Sequence, residues 1–190
     1  MIHALMQLDG SVLLFFQNVI RNDVLTPFFV VVTRLGDAGI IWLIISLALT
    51  FSKKTRMVGI MGITALLLSF LLNNVVLKNL FARRGPFDVI EGLMPLIERP
   101  TDYSFPSGHT AASFAVAELF FEKLPKKFGV PALILAVLIA VSRIYIGVHY
   151  PSDIIGGIAG GTLAGFFAEN LVNTIWGRLA GRSDNQKANI

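Results

Sequence analysis

The chain has 190 residues, of which 54% are apolar and only 15% charged, with a formal net charge of +4 and a mean hydropathy of +0.70. Soluble globular chains carry roughly 25% charged residues, so the composition excludes an ordinary soluble enzyme, a disordered chain and, despite the basic balance, a nucleic-acid binder. Without cysteine there is no disulfide framework, no thiolate metal site and no cysteine nucleophile.

A membrane crossing needs about 20 mostly apolar residues. In chain order, residues 4–20 read as a first, marginal span, broken off by Arg21, Asn22 and Asp23. Residues 24–33 read as an amphipathic helix lying at the interface. If both segments lie on the surface, five spans remain instead of six. A cleaved signal peptide is not expected, because no basic n-region precedes the apolar stretch and no A-x-A site follows it. Residues 35–51, 57–77, 107–121, 130–148 and 154–172 read as the five further spans. In the last, Gly157, Gly161 and Gly165 stand at the small-xxx-small spacing that suits close helix packing. From Ser183 the chain is polar and reads as a disordered tail. The expectation is a single integral-membrane domain over 1–182 and a tail over 183–190. The fold class is all-α, a polytopic membrane helix bundle of about six transmembrane helices.

Basic residues orient such a bundle. Lys53, Lys54 and Arg56 follow the second span, Lys123, Lys126 and Lys127 the fourth, and Arg178, Arg182 and Lys187 the last. All three clusters fall on one side, which is read as cytoplasmic. The loop over 80–103 then lies outside. Three polar clusters fall on that outer side: Lys78 with Arg83, Arg84, Gly85 and Pro86; Pro106-Ser107-Gly108-His109; and Ser142-Arg143 with His149 and Asp153. Polar groups beside lipid are expensive and mark function.

These residue types suit a phosphoryl group. An arginine fork holds two phosphate oxygens at once. Ser107 and Gly108 open a helix whose first amides lack internal partners and whose dipole favours an anion. His149 and Asp153 are four residues apart, with Pro151 between them fitting the first turn of a helix. Asp153 can then accept a proton from one nitrogen of His149, leaving the other free to attack phosphorus. His109, from another helix, is free to protonate the leaving oxygen. Asn73 and Asn74 are expected to hydrogen-bond between helices.

This pattern resembles the type-2 phosphatidic acid phosphatase family, which also includes the vanadium haloperoxidases. The family pattern has three pieces: a lysine, six residues, then Arg-Pro; Pro-Ser-Gly-His; and Ser-Arg, five residues, His, three residues, Asp. The second is met by Pro106, Ser107, Gly108 and His109, and the third by Ser142, Arg143, His149 and Asp153. The first departs: Lys78 and Pro86 are correctly spaced, but Gly85 stands in the arginine's place. Arg84, or else Arg83, is expected to reach the phosphate from a shifted backbone; otherwise the site is weakened or altered for another substrate.

The resemblance implies a phosphohistidine mechanism with no metal and no other cofactor. His149 is the implied nucleophile, Asp153 its orienting group and His109 the acid and base. Lys78, Arg84 or Arg83, Ser107, Gly108 and Arg143 are the implied phosphate ligands. The implied substrate is a lipid phosphate, reached sideways from the bilayer of a bacterial plasma membrane at its extracytoplasmic side. Undecaprenyl diphosphate comes first, then phosphatidylglycerol phosphate, phosphatidic acid and a lipid A phosphate. A haloperoxidase, a lipid phosphotransferase and a non-enzymatic transporter are the rival readings, and the motifs leave the oligomeric state open.

Overall fold

The computed structural model describes residues 2–188, with side chains over 6–179, and among these residues there are helices and no strand. Helix α1 (Ile2–Phe15) runs on through a π-helical turn (Phe16–Ile20). It is followed by α2 (Leu25–Leu35), a 3-10 turn (Asp37–Gly39) and α3 (Ile40–Thr50). Helix α4 (Arg56–Ser69) continues through a π-helical stretch (Phe70–Leu77) into α5 (Lys78–Phe81). Then come α6 (Pro86–Val89), α7 (Gly108–Lys123), α8 (Lys126–Tyr145) and α9 (Pro151–Ala188).

Small residues line the closest helix contacts, and large apolar side chains face outward as well as inward. A Cβ on Gly157, Gly161 or Gly165 would fall within 2.8 Å of the carbonyl oxygens of Ser107, Ala111 or Ala115. The stripe therefore lets α9 meet α7 almost backbone to backbone. Gly62 of α4 lies in the same way under Ser46 of α3. Trp42 is fully buried and donates from Nε1 to Ser113 Oγ at 3.0 Å, which satisfies the one polar atom of its ring. Leu67, Leu71, Ile134, Val137, Leu163 and Phe166 point outward, where lipid tails rather than water suit them.

The protein is an integral membrane protein, but the span count differs from expectation. Among the described residues three stretches are long and apolar enough to cross, Arg56–Val89, Lys126–Tyr145 and Pro151–Leu179. The pair Leu25–Leu35 and Asp37–Thr50, bent by 45°, makes a fourth if it is one broken span. Helix α7, 16 residues long, rises about 24 Å and runs between them.

Residues 4–20 do not form the expected first span. Asp9 bonds Arg83 and Ser152, Leu13 packs on Leu93 and Tyr150, Gln17 bonds Gly92 and Met94, and Arg21 bonds Met94 and Tyr145. All of these partners belong to the segment between α5 and α7 or to the α8–α9 connection and the helix ends that flank it, so α1 lies across one end of the bundle. The physical reason is that Asp9 and Arg21 both need polar partners, and both find them on that face.

The expected interfacial helix over 24–33 is also revised. Val32 and Thr33 of α2 are buried, Thr26 and Thr33 bond side chains of α8, and the bent pair replaces the expected straight span over 35–51. The tail over 183–190 falls on residues whose side chains lie outside the described ones.

Candidate active site

The α8–α9 connection is wound so that Arg143 and His149 stay together. The amides of Val148 and His149 both return to the Arg143 carbonyl, at 3.2 and 3.4 Å. Gly147 makes the reversal at φ +80°, a region that disfavours side chains; a Cβ there would also strike the Arg21 guanidinium. Pro151 opens α9, and in its first turn Asp153 Oδ2 accepts from the Tyr150 amide at 2.9 Å, as in half of a capping box. The same oxygen faces His149 Nδ1 at 3.4 Å and accepts from the Ser104 hydroxyl. Asp153 is 0% exposed and His149 5%. This arrangement occupies Nδ1 of His149 and leaves Nε2 free.

Burial holds the His149 imidazole below its ordinary value of 6.5; its hydrogen bond to Asp153 works against this, and the charges of Arg143 and Lys78 reinforce it. The neutral ring is the attacking form, so a depressed value keeps it competent through the neutral range. The expected kcat/KM profile falls on the acid side only below pH 6.5. Two substrates whose phosphates ionise differently separate the substrate's own limb, and a shared acid limb above 6.5 contradicts the assignment.

His149 opens into a cavity of about 530 Å³ whose walls include Lys78, Gly108, His109, Arg143, Asp37, Asp102, Leu66 and Phe70. Arg143 is buried; its Nη1 donates to Thr33 Oγ1 at 2.7 Å and lies 3.4 Å from His109 Nε2, while its Nε has no protein partner. A buried donor without a partner is costly and suits an anion. Lys78 is carried in by the π-helical stretch of α4, whose wide turns are common at functional sites, and pairs with Asp102. Ser107 lies off the cavity wall. It is fully buried and caps α7, its Oγ accepting from the Thr110 amide at 3.4 Å. Gly108 brings the first turn of α7 to the wall, against Asn74. Asn73 bonds Ser69 within its own helix instead of bridging helices.

The two arginines beside Gly85 do not line the cavity. Arg83 donates to Asp153 Oδ1 at 2.7 Å, to Ser152 Oγ at 2.6 Å and to Asp9 Oδ2 at 2.8 Å, and it stacks on the Tyr150 ring. It stands behind Asp153, on the side away from His149. Arg84 is exposed and has no hydrogen bond among the described residues. The structure therefore brings together Lys78, Gly108, His109, Arg143, His149 and Asp153, and leaves Ser107, Arg83 and Arg84 outside the cavity.

Residues 54–176 match the PAP2 superfamily. The chain belongs to that superfamily. Among its relatives, the undecaprenyl-diphosphatase of Sulfolobus acidocaldarius is 32% identical over 134 residues, covering 70% of this chain and 65% of that protein; the chain thus spans just under two thirds of that relative. Phosphatidylglycerophosphatase B of Bacillus subtilis is 31% identical over 168 residues, covering 80% and 77%. The crystal structure of the transmembrane PAP2-type phosphatidylglycerolphosphate phosphatase from Bacillus subtilis superposes with a TM-score of 0.73 at 28% identity, covering 90% of this chain and 88% of that one.

Several residues of this PAP2 site were not anticipated from sequence. Thr33, Asp37, Asp102, Ser104 and Asp9 reach it from the bent span, the loop and α1. Asp9 and Asp37, each an acid inside a stretch read as a span, are the ones with a signal in the sequence, because a membrane chain retains such a residue only where it finds a partner.

Proposed function

We propose that the protein hydrolyses a lipid phosphate, with undecaprenyl diphosphate first and phosphatidylglycerol phosphate or phosphatidic acid next, through a phosphohistidine on His149. The observation that carries this reading is the composition of one cavity. Two imidazoles, Lys78, Arg143 and the first turn of α7 sit beside the apolar side chains of Leu66 and Phe70 on α4. Such a cavity suits a phosphate head joined to an apolar tail that enters from the bilayer. The basic clusters at the opposite end of the bundle support a site facing the extracytoplasmic side.

In this reading His149 Nε2 attacks phosphorus in line while Nδ1–H stays with Asp153. A P–N bond forms and the bond to the leaving oxygen breaks, with His109 giving that oxygen a proton. Water then attacks the phosphohistidine, His109 takes back a proton, and the P–N bond breaks to release inorganic phosphate. Lys78, Arg143 and the Gly108 amide hold the equatorial oxygens, which is stabilisation by preorganised donors. Fixed cations take the part that a metal has elsewhere. Among the described residues no cluster of three or more His, Asp or Glu has metal-ligating geometry.

The test is phosphate release by purified protein from a panel of these lipid phosphates in the presence of EDTA, comparing kcat/KM. The expected result is turnover in chelator, with the diphosphate preferred. No release from any lipid defeats the reading, and transfer of the phosphoryl group to an added alcohol in place of water indicates a phosphotransferase.

A further inference from the structure

The break between α2 and α3 lies against His109. Gly36 passes so close that a Cβ there would strike the ring carbon Cδ2 of His109 and the side chain of Ile139. Ala38 and Gly39 follow in left-handed conformations, φ +51° and +67°, and at a non-glycine residue that conformation costs about 1–2 kcal/mol. Strain of this kind persists where the surroundings fix it, and it gathers at functional sites. Between these residues Asp37 is turned inward, with its Oδ1 2.9 Å from His109 Nε2. It also lines the cavity. The other charged or titratable groups around that ring are Arg143, 3.4 Å from the same nitrogen, with Lys78, Asp102 and His149 on the same cavity wall. Asp102 is committed to Lys78. Asp37 is thus the carboxylate bonded to His109.

Resting on the proposed lipid phosphatase reading, we infer that Asp37 is a positioning residue for His109: it aims Nε2 into the cavity and supplies the compensating negative charge while that nitrogen carries the proton destined for the leaving oxygen. The carboxylate is 58% exposed on its side chain, so it can swing aside as the leaving oxygen takes its place on Nε2. The balance is simple. The N–H proton moves to the leaving oxygen as the P–O bond breaks, and Asp37 itself neither gains nor loses a proton. The kinked backbone then has a use, since a straight helix through 36–39 would present no carboxylate to this ring.

The experiment compares Asp37→Asn and Asp37→Glu with the unmodified protein on phosphatidic acid and on p-nitrophenyl phosphate. The first substrate expels an alkoxide, which needs a proton; the second expels a stable aryl oxide, which does not. General acid catalysis is worth about 10²-fold or more. For Asp37→Asn the expected kcat loss is about 10²-fold on phosphatidic acid and less than about threefold on p-nitrophenyl phosphate, with Asp37→Glu recovering most of the difference. An equal loss on both substrates, or none on either, overturns the inference, because a purely structural carboxylate does not distinguish leaving groups. Asp37→Ser repeats the comparison should the asparagine variant fail to fold. If the unmodified protein releases phosphate from neither substrate and from none of the lipid panel, the phosphatase reading falls and this inference with it. If it cleaves both and the variants fail to discriminate, only the role of Asp37 falls.

Discussion

Replacing His149 with alanine is expected to remove phosphate release altogether, with kcat falling by about 10⁴-fold or more, as when a nucleophile is deleted from a covalent mechanism. The imidazole is buried, its Nδ1 is held beside Asp153, and its other nitrogen opens on the cavity shared with His109 and Arg143. No other side chain on that wall offers a neutral nucleophile in the same place. The measurement has two parts. Steady-state release from the preferred lipid gives the loss. A rapid quench with a phosphate-labelled lipid gives the intermediate, which should survive alkali and be lost in acid, as a phosphorus–nitrogen bond is. His149→Ala should show no label. Unchanged turnover in this variant, or label retained on it, removes His149 from the nucleophile's role.

Arg83→Ala and Arg84→Ala are expected to behave very differently, although the two residues are neighbours. Arg83 bridges two buried carboxylates, Asp153 at 2.7 Å and Asp9 at 2.8 Å, which are 0% and 3% exposed on their side chains. Removing it leaves both without their cation. Breaking a buried pair in this way costs about 3–5 kcal/mol. Asp153 keeps the Tyr150 amide and the Ser104 hydroxyl on Oδ2 but loses the partner of Oδ1, so its hold on His149 loosens and kcat should fall along with stability. Arg83→Lys should rescue little, since an ammonium cannot reproduce a fork that engages Asp153, Ser152 and Asp9 together. Arg84→Ala, at an exposed position off the cavity, should stay within about threefold of the parent, as surface substitutions do. Thermal unfolding in detergent and kcat/KM for each variant check this. A large rise in KM from Arg84→Ala, with Arg83→Ala neutral, would instead make Arg84 the phosphate ligand that the motif lacks at Gly85.

Local features were the legible ones. The turn joining Arg143 to His149 and the start of α9 at Pro151 are decided by neighbours in the chain, and the glycine, proline and spacing announce them. The same holds for Gly108 at the head of α7. The course of α1 was not legible, because hydropathy weighs the apolar residues between Asp9 and Arg21 without registering that both charged ends find partners on one face. The partners of Arg83 were not legible for a related reason. Its charge suggested an anion, but its partners are two acids 74 and 70 positions away in sequence, and only the folded chain brings them to it. The turn that aims Asp37 inward lay hidden in a stretch read as the beginning of a straight span, since nothing in the pattern of apolar residues signals two successive left-handed residues.

The near contact of α7 and α9 along their glycine and alanine stripe has a mechanical consequence. His109 rides on one of these helices and Asp153 on the other, so a bilayer that thins, thickens or comes under tension is expected to tilt them as one body and to keep these two side chains at a fixed spacing. Lys78 arrives on the π-helical stretch that follows α4, and Asn73 and Asn74 of that stretch lie against Gly160 of α9 and Gly108 of α7. Deformation of the surrounding lipid is therefore expected to move these three elements together rather than to spread them apart.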